Sequence, residues 1–312
     1  MLKKSAIRRI TTASIALIIA SILYFFPSNE TMITPNKTHY IDVLKTPIYL
    51  LNKEELVVRT DIAIENNDTL NKIKELITAL TINSEKKEYI LKNFKQIIPE
   101  QTKVLDISLT DGLLKVNFSK EFLTIEKDKE EALIEALIYT LTDIEEVKEI
   151  MIFIDGEKLN ILPQSKIILP NTLDRNYGIN KIYDLNDLKN SSKTTVYFLG
   201  KEDDVTYYIP VTKINNTEKN KIEVIIEELK SSPIYETNLI SYLASSAELL
   251  NYQILENQVN LSFNNYIFDD LNEKNILEEV KYSISLSLKD SIGAKQVNFI
   301  VDEEVIDTID VP

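Results

Sequence analysis

Residues 46–155 of this 312-residue chain recur, in order and in register, across residues 194–302. Thr46-Pro47-Ile48-Tyr49-Leu50-Leu51 returns as Thr194-Thr195-Val196-Tyr197-Phe198-Leu199. Leu114-Lys115-Val116-Asn117-Phe118-Ser119 returns as Val259-Asn260-Leu261-Ser262-Phe263-Asn264, and the run from Lys148 to Asp155 as the run from Lys295 to Asp302. The offsets are 148, 145 and 147 residues, so one register holds over the whole unit. A repeat of that length is a domain in tandem and not a solenoid turn. It sets repeat 1 at 45–160, a connecting segment at 161–192 and repeat 2 at 193–312.

Each repeat reads as an α+β unit of order β-α-β-β-α-β, with an extra extended stretch near its start. Pro47 to Leu51 and Val196 to Leu199 have strand length and composition. Leu56 to Ile64 and Val205 to Lys213 supply the second extended stretch. Leu70, Ile73, Leu76, Ile77 and Leu80 then share one helical face, with Asp68 or Thr69 placed to cap it. Ile222, Ile225, Ile226 and Leu229 do the same in repeat 2, where Ser231-Ser232-Pro233 ends the helix.

The apolar period then drops to two. Leu105, Ile107 and Leu109 lead through Asp111-Gly112 to Leu114, Val116 and Phe118, a hairpin whose turn needs positive φ. Leu250, Tyr252 and Ile254 lead through Glu256-Asn257 to Val259, Leu261 and Phe263, with Asn257 expected to take the positive φ. A longer helix follows at Lys129 to Thr142, copied around Ile276, Val280, Ile284 and Leu288. The unit closes on a strand through Ile150, Ile152 and Ile154, or Val297, Phe299 and Val301. Two helices on one face of a small mixed sheet is the expected arrangement. Leu105, Ile107, Val116, Phe118, Leu137 and Ile152 are expected in one core, as are Tyr252, Ile254, Leu261, Phe263, Ile284 and Phe299.

Pro163 and Pro170 punctuate the connecting segment. Ile161, Leu162, Ile167, Ile168, Leu169 and Tyr183 make it too apolar for a free tether, so it is expected to pack on the repeats. Tyr207 and Tyr208 adjoin in an extended segment and point to opposite faces, so one ring leaves the core unless something covers it. Tyr235, Tyr242, Tyr252, Tyr266 and Tyr282 make repeat 2 rich in tyrosine, suited to core boundaries or to an interface.

Charge divides the chain differently. Lys3, Lys4, Arg8 and Arg9 give residues 1–26 a charge of +4, with no acidic residue before Glu30. Residues 27–312 hold the other 31 basic and all 49 acidic residues, a net of −18. Ile10 to Phe26 carries no charge, and 17 residues at about 1.5 Å each approach the short limit for spanning a bilayer core. Tyr24-Phe25-Phe26 favours the membrane interface, and the exit Tyr24-Phe25-Phe26-Pro27-Ser28 lacks the small residues of a signal-peptidase site. The expectation is a basic cytoplasmic segment at 1–9, an uncleaved single-pass signal anchor at 10–26, a stalk at 27–44, and residues 27–312 outside the cell membrane.

Little catalytic chemistry survives the composition. The chain has no cysteine, so disulfides, thiolate metal sites and cysteine nucleophiles are excluded. The single histidine, His39, lies in the stalk without a ligand set around it. The acidic balance argues against nucleic acid. Glu126, Asp128, Glu130, Glu131 and Glu135 crowd the start of the longer helix in repeat 1. There they suit the helix dipole, and they are expected to be solvated rather than paired for glycoside chemistry. Glu202-Asp203-Asp204 and Asp302-Glu303-Glu304 lack calcium-loop spacing and suit turns. Ser119 and Ser191 have no base pattern nearby. No catalytic, cofactor-binding or metal-binding residue is expected.

Both repeats resemble the GerMN-domain family of sporulation and germination proteins. The resemblance rests on TPIYLLNKEELV, IIPEQTKVLDISLTDGLLKVNFSKEF, ALIEALIYTLTDIEEV and EIMIFIDGE. Repeat 2 departs from it where Asp302-Glu303 replaces Asp-Gly. The resemblance implies small αβ modules similar to ring-building units, which associate with copies of themselves or with other envelope proteins. It implies a role in the complex that joins mother cell and forespore. The expected function is therefore a membrane-anchored, non-enzymatic assembly or scaffold protein. The alternative is an extracytoplasmic binder of a ligand such as a cell-wall glycan. A scaffold should expose a sheet edge or apolar helix face, and a ligand binder an aromatic-lined pocket.

Overall fold

The computed structural model describes residues 45–66, 68–186, 191–203, 205–231 and 239–311. The basic segment, the stretch 10–26, the stalk and His39 lie outside the described residues, as does Tyr235. Repeat 1 runs β1 (Lys45–Leu51), β2 (Val57–Ala63), α1 (Thr69–Leu80), β3 (Val104–Thr110), β4 (Leu113–Phe118), α2 (Glu130–Leu141), β5 (Glu149–Ile154) and β6 (Glu157–Lys158). The connecting segment carries β7 (Ile182–Asp184). Repeat 2 runs β8 (Ser192–Glu202), β9 (Val205–Asn215), α3 (Lys221–Ser231), β10 (Leu249–Leu255), β11 (Gln258–Phe263), α4 (Glu278–Ile292), β12 (Gln296–Val301) and β13 (Glu304–Asp310).

The element order repeats as the sequence implies, with both repeats ending on an added strand. The sheet arrangement differs from the expected single sheet. In repeat 1, β3-β4-β5-β6 form one four-stranded sheet, and in repeat 2 β10-β11-β12-β13 form its copy. The opening hairpins stay out of these sheets. β1-β2 and β8-β9 join β7 in a separate five-stranded sheet shared by both repeats, with Arg59 of β2 opposite Tyr208 of β9. The physical reason lies in the helices. β4 and β5 run parallel, so α2 must cross over their sheet. Ten of its twelve residues are buried, so a second layer is needed on its other side. The hairpin supplies that layer, since α2 lies against β1 and β2.

Core side chains follow the sequence pattern with two exceptions. Val116, Phe118, Leu137, Ile152, Leu261, Phe263, Ile284 and Phe299 are at most 3% exposed. Phe118 stacks on Phe122 with ring centroids 4.6 Å apart. Ile107 and Tyr252 are half-buried, whereas Leu105 and Ile254 are exposed. Both exceptions lie on β3 and β10, the outermost strands of their sheets. Leu105 also occupies a β-bulge, which breaks the alternation that would bury it.

Asp68 caps α1 by accepting from Asn71 N at 3.0 Å. The hairpin turn of repeat 1 places both Asp111 and Gly112 at positive φ. In repeat 2 Glu256, and not Asn257, takes the positive φ at +53°. The Asp155-Gly156 turn recurs as Asp302-Glu303, at +51° and +65°, so the backbone keeps the same turn without glycine.

Candidate interaction surfaces and the inter-repeat junction

The carboxylates at the start of α2 are largely consumed in holding the chain together. Glu130 is 2% exposed and accepts from the backbone N–H groups of Gln164 at 3.0 Å and Ser165 at 2.6 Å. Glu135 is buried, accepts from Asn180 N at 2.9 Å and pairs with Lys181 at 2.6 Å. Lys181 also pairs with Glu131 at 2.7 Å. The expectation of solvated charges is therefore corrected for Glu130 and Glu135: the connecting segment supplies the donors that allow them to be buried. Burial pushes the Glu135 carboxyl above its ordinary range, and Lys181 offsets only part of that rise. Glu126 pairs with Lys129 at 2.6 Å at the surface.

A second polar network joins the repeats, and it is built from equivalent residues. Tyr49 and Tyr197 hold the same place in β1 and β8, and their hydroxyls meet at 2.9 Å. Asp143 and Asp290 hold the same place after α2 and near the end of α4. Arg175 of the connecting segment binds both, with Asp143 at 3.1 Å and Asp290 in closer contact. Its guanidinium also donates to Thr142 Oγ1 and Tyr139 O, both at 3.1 Å, and lies 4.9 Å from the centre of the Tyr139 ring. Lys289 pairs with Asp143 from the opposite repeat. The two carboxylate side chains are only 2% and 1% exposed. Burial alone would raise Asp143, but Arg175, Lys289 and Arg59 outweigh it and hold the carboxyl below its ordinary value. Burial likewise opposes the charge on Arg175, and Asp290, Tyr49 and Asp143 more than restore it.

The contact of a residue with its own counterpart is the mark of a local two-fold axis. The antiparallel pairing of β2 with β9 obeys the same relation. Asn180 ties this seam, accepting from Val57 N at 3.0 Å and donating to Val57 O at 2.7 Å and Pro210 O at 2.8 Å. The hydroxyls of Thr140 and Ser287, again equivalent, accept from Tyr49 N at 3.0 Å and Tyr197 N at 2.8 Å. Helix side chains thus close the outer edges of the five-stranded sheet. Tyr207 is buried, in edge-to-face contact with Phe94 of repeat 1 at 5.1 Å, while Tyr208 is half-buried. In the connecting segment Leu162, Leu169, Leu173 and Ile179 are buried, whereas Ile161, Ile168 and Tyr183 point outward.

Two kinds of surface remain. Repeat 1 carries a groove of about 770 Å³ with Leu51, Ile90, Leu91, Phe94 and Ile125 among its lining, together with lysines and glutamates of both signs. Phe94 is its one aromatic ring. The open sheet edges carry exposed Val104 and Leu105 on β3, and Leu250, Ile254 and Leu255 on β10. Tyr242 and Tyr266 are exposed, and Tyr282 is half-buried.

The remaining candidates scatter. Ser119 Oγ accepts from Lys103 N at 3.0 Å, and Ser191 is exposed. Glu202 pairs with Lys53, Asp203 takes positive φ in a turn, and Asp204 lies outside the described residues. Glu304 pairs with Lys274 at 3.3 Å. Among the described residues no group of three or more His, Cys, Asp or Glu is placed to hold a metal ion. No helix among them is long and apolar enough to cross a membrane.

Comparison with known proteins agrees with the duplicated architecture. The profile of the Germane family, described as sporulation and spore germination, matches residues 47–160 and again 195–307. The spore germination protein GerM of Bacillus subtilis (strain 168) is 30% identical over 257 residues, covering 80% of this chain and 69% of that protein. The solved tandem GerMN domains of the sporulation protein GerM from Bacillus subtilis superpose with a TM-score of 0.77 at 27% identity. That match covers 86% of this chain and 97% of the solved one.

Proposed function

Since the chain belongs to the Germane family of sporulation and spore germination proteins, we propose that it is a membrane-anchored, non-enzymatic scaffold in an extracytoplasmic envelope complex. The complex in this reading is one that joins mother cell and forespore. Residues 10–26 anchor it, residues 27–44 lift the paired repeats off the cell membrane, and residues 27–312 face outward. The observation that carries the reading is the pair of outward sheet edges with exposed large apolar residues. Such edges recruit strands from other chains. The carboxylates that crowd α2 fasten the connecting segment, which supports binding over catalysis.

The glycan alternative needs stacking surfaces for sugar rings. The groove of repeat 1 has one ring, Phe94, which is 6% exposed and already packed on Tyr207. The test has two arms in sporulating cells. Protease added outside intact protoplasts should digest residues 27–312, and full protection would overturn the orientation. Affinity capture of the anchored chain should recover envelope proteins, and a Lys scan of exposed apolar edge positions should abolish that recovery without unfolding the repeats. Specific retention on purified cell-wall glycan, with capture unaffected by the edge variants, would favour the alternative.

A further inference from the structure

The edge strand β10 reads Leu249-Leu250-Asn251-Tyr252-Gln253-Ile254-Leu255. Every other edge strand among the described residues carries a charged side chain: Lys45 on β1, Asp106 on β3, Glu157 and Lys158 on β6, Asp184 on β7, Lys193 on β8, and Glu304 on β13. Charges on an edge deter pairing with another chain. β10 has none, and it has no proline or glycine either. Its three exposed apolar side chains, Leu250, Ile254 and Leu255, are 64%, 48% and 46% exposed.

The order of residues in β10 says what fits it. Read outward from Tyr252, the strand is a chemical palindrome: Asn against Gln, Leu against Ile, Leu against Leu. An antiparallel pair related by a two-fold axis at Tyr252 sets each residue opposite one of its own kind. Tyr252 meets Tyr252, Asn251 meets Gln253, Leu250 meets Ile254 and Leu249 meets Leu255. Both faces of the sheet would continue across the seam. Tyr252 and Ile254 stand opposite the buried Leu261 and Val259, so they extend the core-facing layer. Gln253 stands opposite Asn260, which accepts from Asn298 Nδ2 at 2.8 Å, and Asn298 in turn accepts from Thr308 Oγ1 at 2.7 Å. Asn251 of a second copy would prolong that row of amides. The bulge at Leu250 lies outside the central Asn251-Tyr252-Gln253 block.

We propose that β10 is a homotypic docking strand, through which two copies of this chain join by antiparallel pairing centred on Tyr252. The idea deepens the partner side of the scaffold reading by naming the partner as a second copy. The chain already brings equivalent strands of its own repeats together antiparallel, β2 and β9 meeting at the single pair Arg59 and Tyr208. Net charge points the same way. Two chains of −14 each repel, and contact is cheapest along the seven uncharged residues of β10 itself, with Glu248 and Glu256 facing each other only beyond its ends. A strand pair of this length buries less area than a stable soluble dimer needs. The association is therefore weak in dilute solution and strengthened when both copies are tethered to one surface.

The chain has no cysteine, which makes the test direct. Facing residues of an antiparallel pair have Cα atoms about 4.5–5.5 Å apart, within the span of a disulfide. The full-length chain with Tyr252→Cys, reconstituted in vesicles and mildly oxidised, should give a covalent dimer about tenfold faster than Ile107→Cys, the matching position on β3. The double variant Asn251→Asp with Gln253→Asp crowds four carboxylates around the axis. It should lose concentration-dependent association in sedimentation while keeping its circular dichroism and thermal midpoint. The proposal is overturned if Tyr252→Cys dimerises no faster than Ile107→Cys, or if the folded double variant associates as tightly as the parent. Either failure leaves a scaffold with foreign partners standing, because affinity capture reads that separately.

Discussion

Arg175 is one side chain shared by two buried carboxylates that come from equivalent places in the two repeats. Replacing it with Met leaves Lys289 as the direct partner of Asp143, with Arg59 the more distant cation, and Asp290 with no ion pair in the described network. Loss of about 3–5 kcal/mol is expected, the usual cost of breaking a buried charged pair, and urea unfolding measures it. The depressed Asp143 carboxyl adds a pH signature. Its contribution is fully present above the ordinary carboxylate pKa of about 4 and is lost as pH falls through the depressed folded value. The urea midpoint should therefore drop on acidification through this range, and Asp143→Asn should flatten that part of the profile. Phe118→Ala, at a fully buried ring, should cost about 3–5 kcal/mol in the same assay. The apolar core was readable from period-two and helical spacing, Phe118 included. The junction is not legible from spacing, although its signal is present. The repeat register aligns Tyr49 with Tyr197 and Asp143 with Asp290. What no spacing rule conveys is that Tyr49 touches its counterpart Tyr197, 148 residues away, or that Arg175 lies between the two carboxylates.

Among elements, the hairpins were legible and their sheet membership was not. Alternation fixes which face of β4 or β11 is buried, but it is silent on which strands are neighbours. The opening hairpin of each repeat leaves its own sheet because the crossover helix needs cover on two sides. That requirement shows in the all-round burial of α2 and only faintly in the apolar content of its sequence. Glu130 and Glu135 depart from the expected solvation for a related reason. Acidic residues in the first turns of a helix are usually solvated, and here the connecting segment lies over them. Turn chemistry makes a prediction at this scale. Glu303 holds φ at +65° in the β12–β13 turn, a region that side chains with a Cβ enter at a cost. Glu303→Gly should stabilise the chain by up to about 1 kcal/mol, seen as a higher thermal midpoint, because the strain relieved exceeds the added freedom of the unfolded chain.

At the scale of the molecule, the described residues from Lys45 onward form one unit in which the two repeats share a sheet, a strap and a charged lock. They should unfold together, in one calorimetric transition. Arg175→Met should split that transition in two if the lock is what couples the repeats, and the split should widen as the pH is lowered. The symmetric junction also has a consequence in time. Asp290 follows Asp143 by 147 residues, so the first half of the lock is synthesised well before the second. At about 5–20 residues per second that interval is roughly 7–30 s. For that interval the face around Tyr49 waits without its counterpart, while neighbouring nascent chains present the identical face. A lock whose carboxylates come from equivalent halves can close on a stranger as well as on itself, so its fidelity depends on how far apart the ribosomes are and how soon the second half arrives.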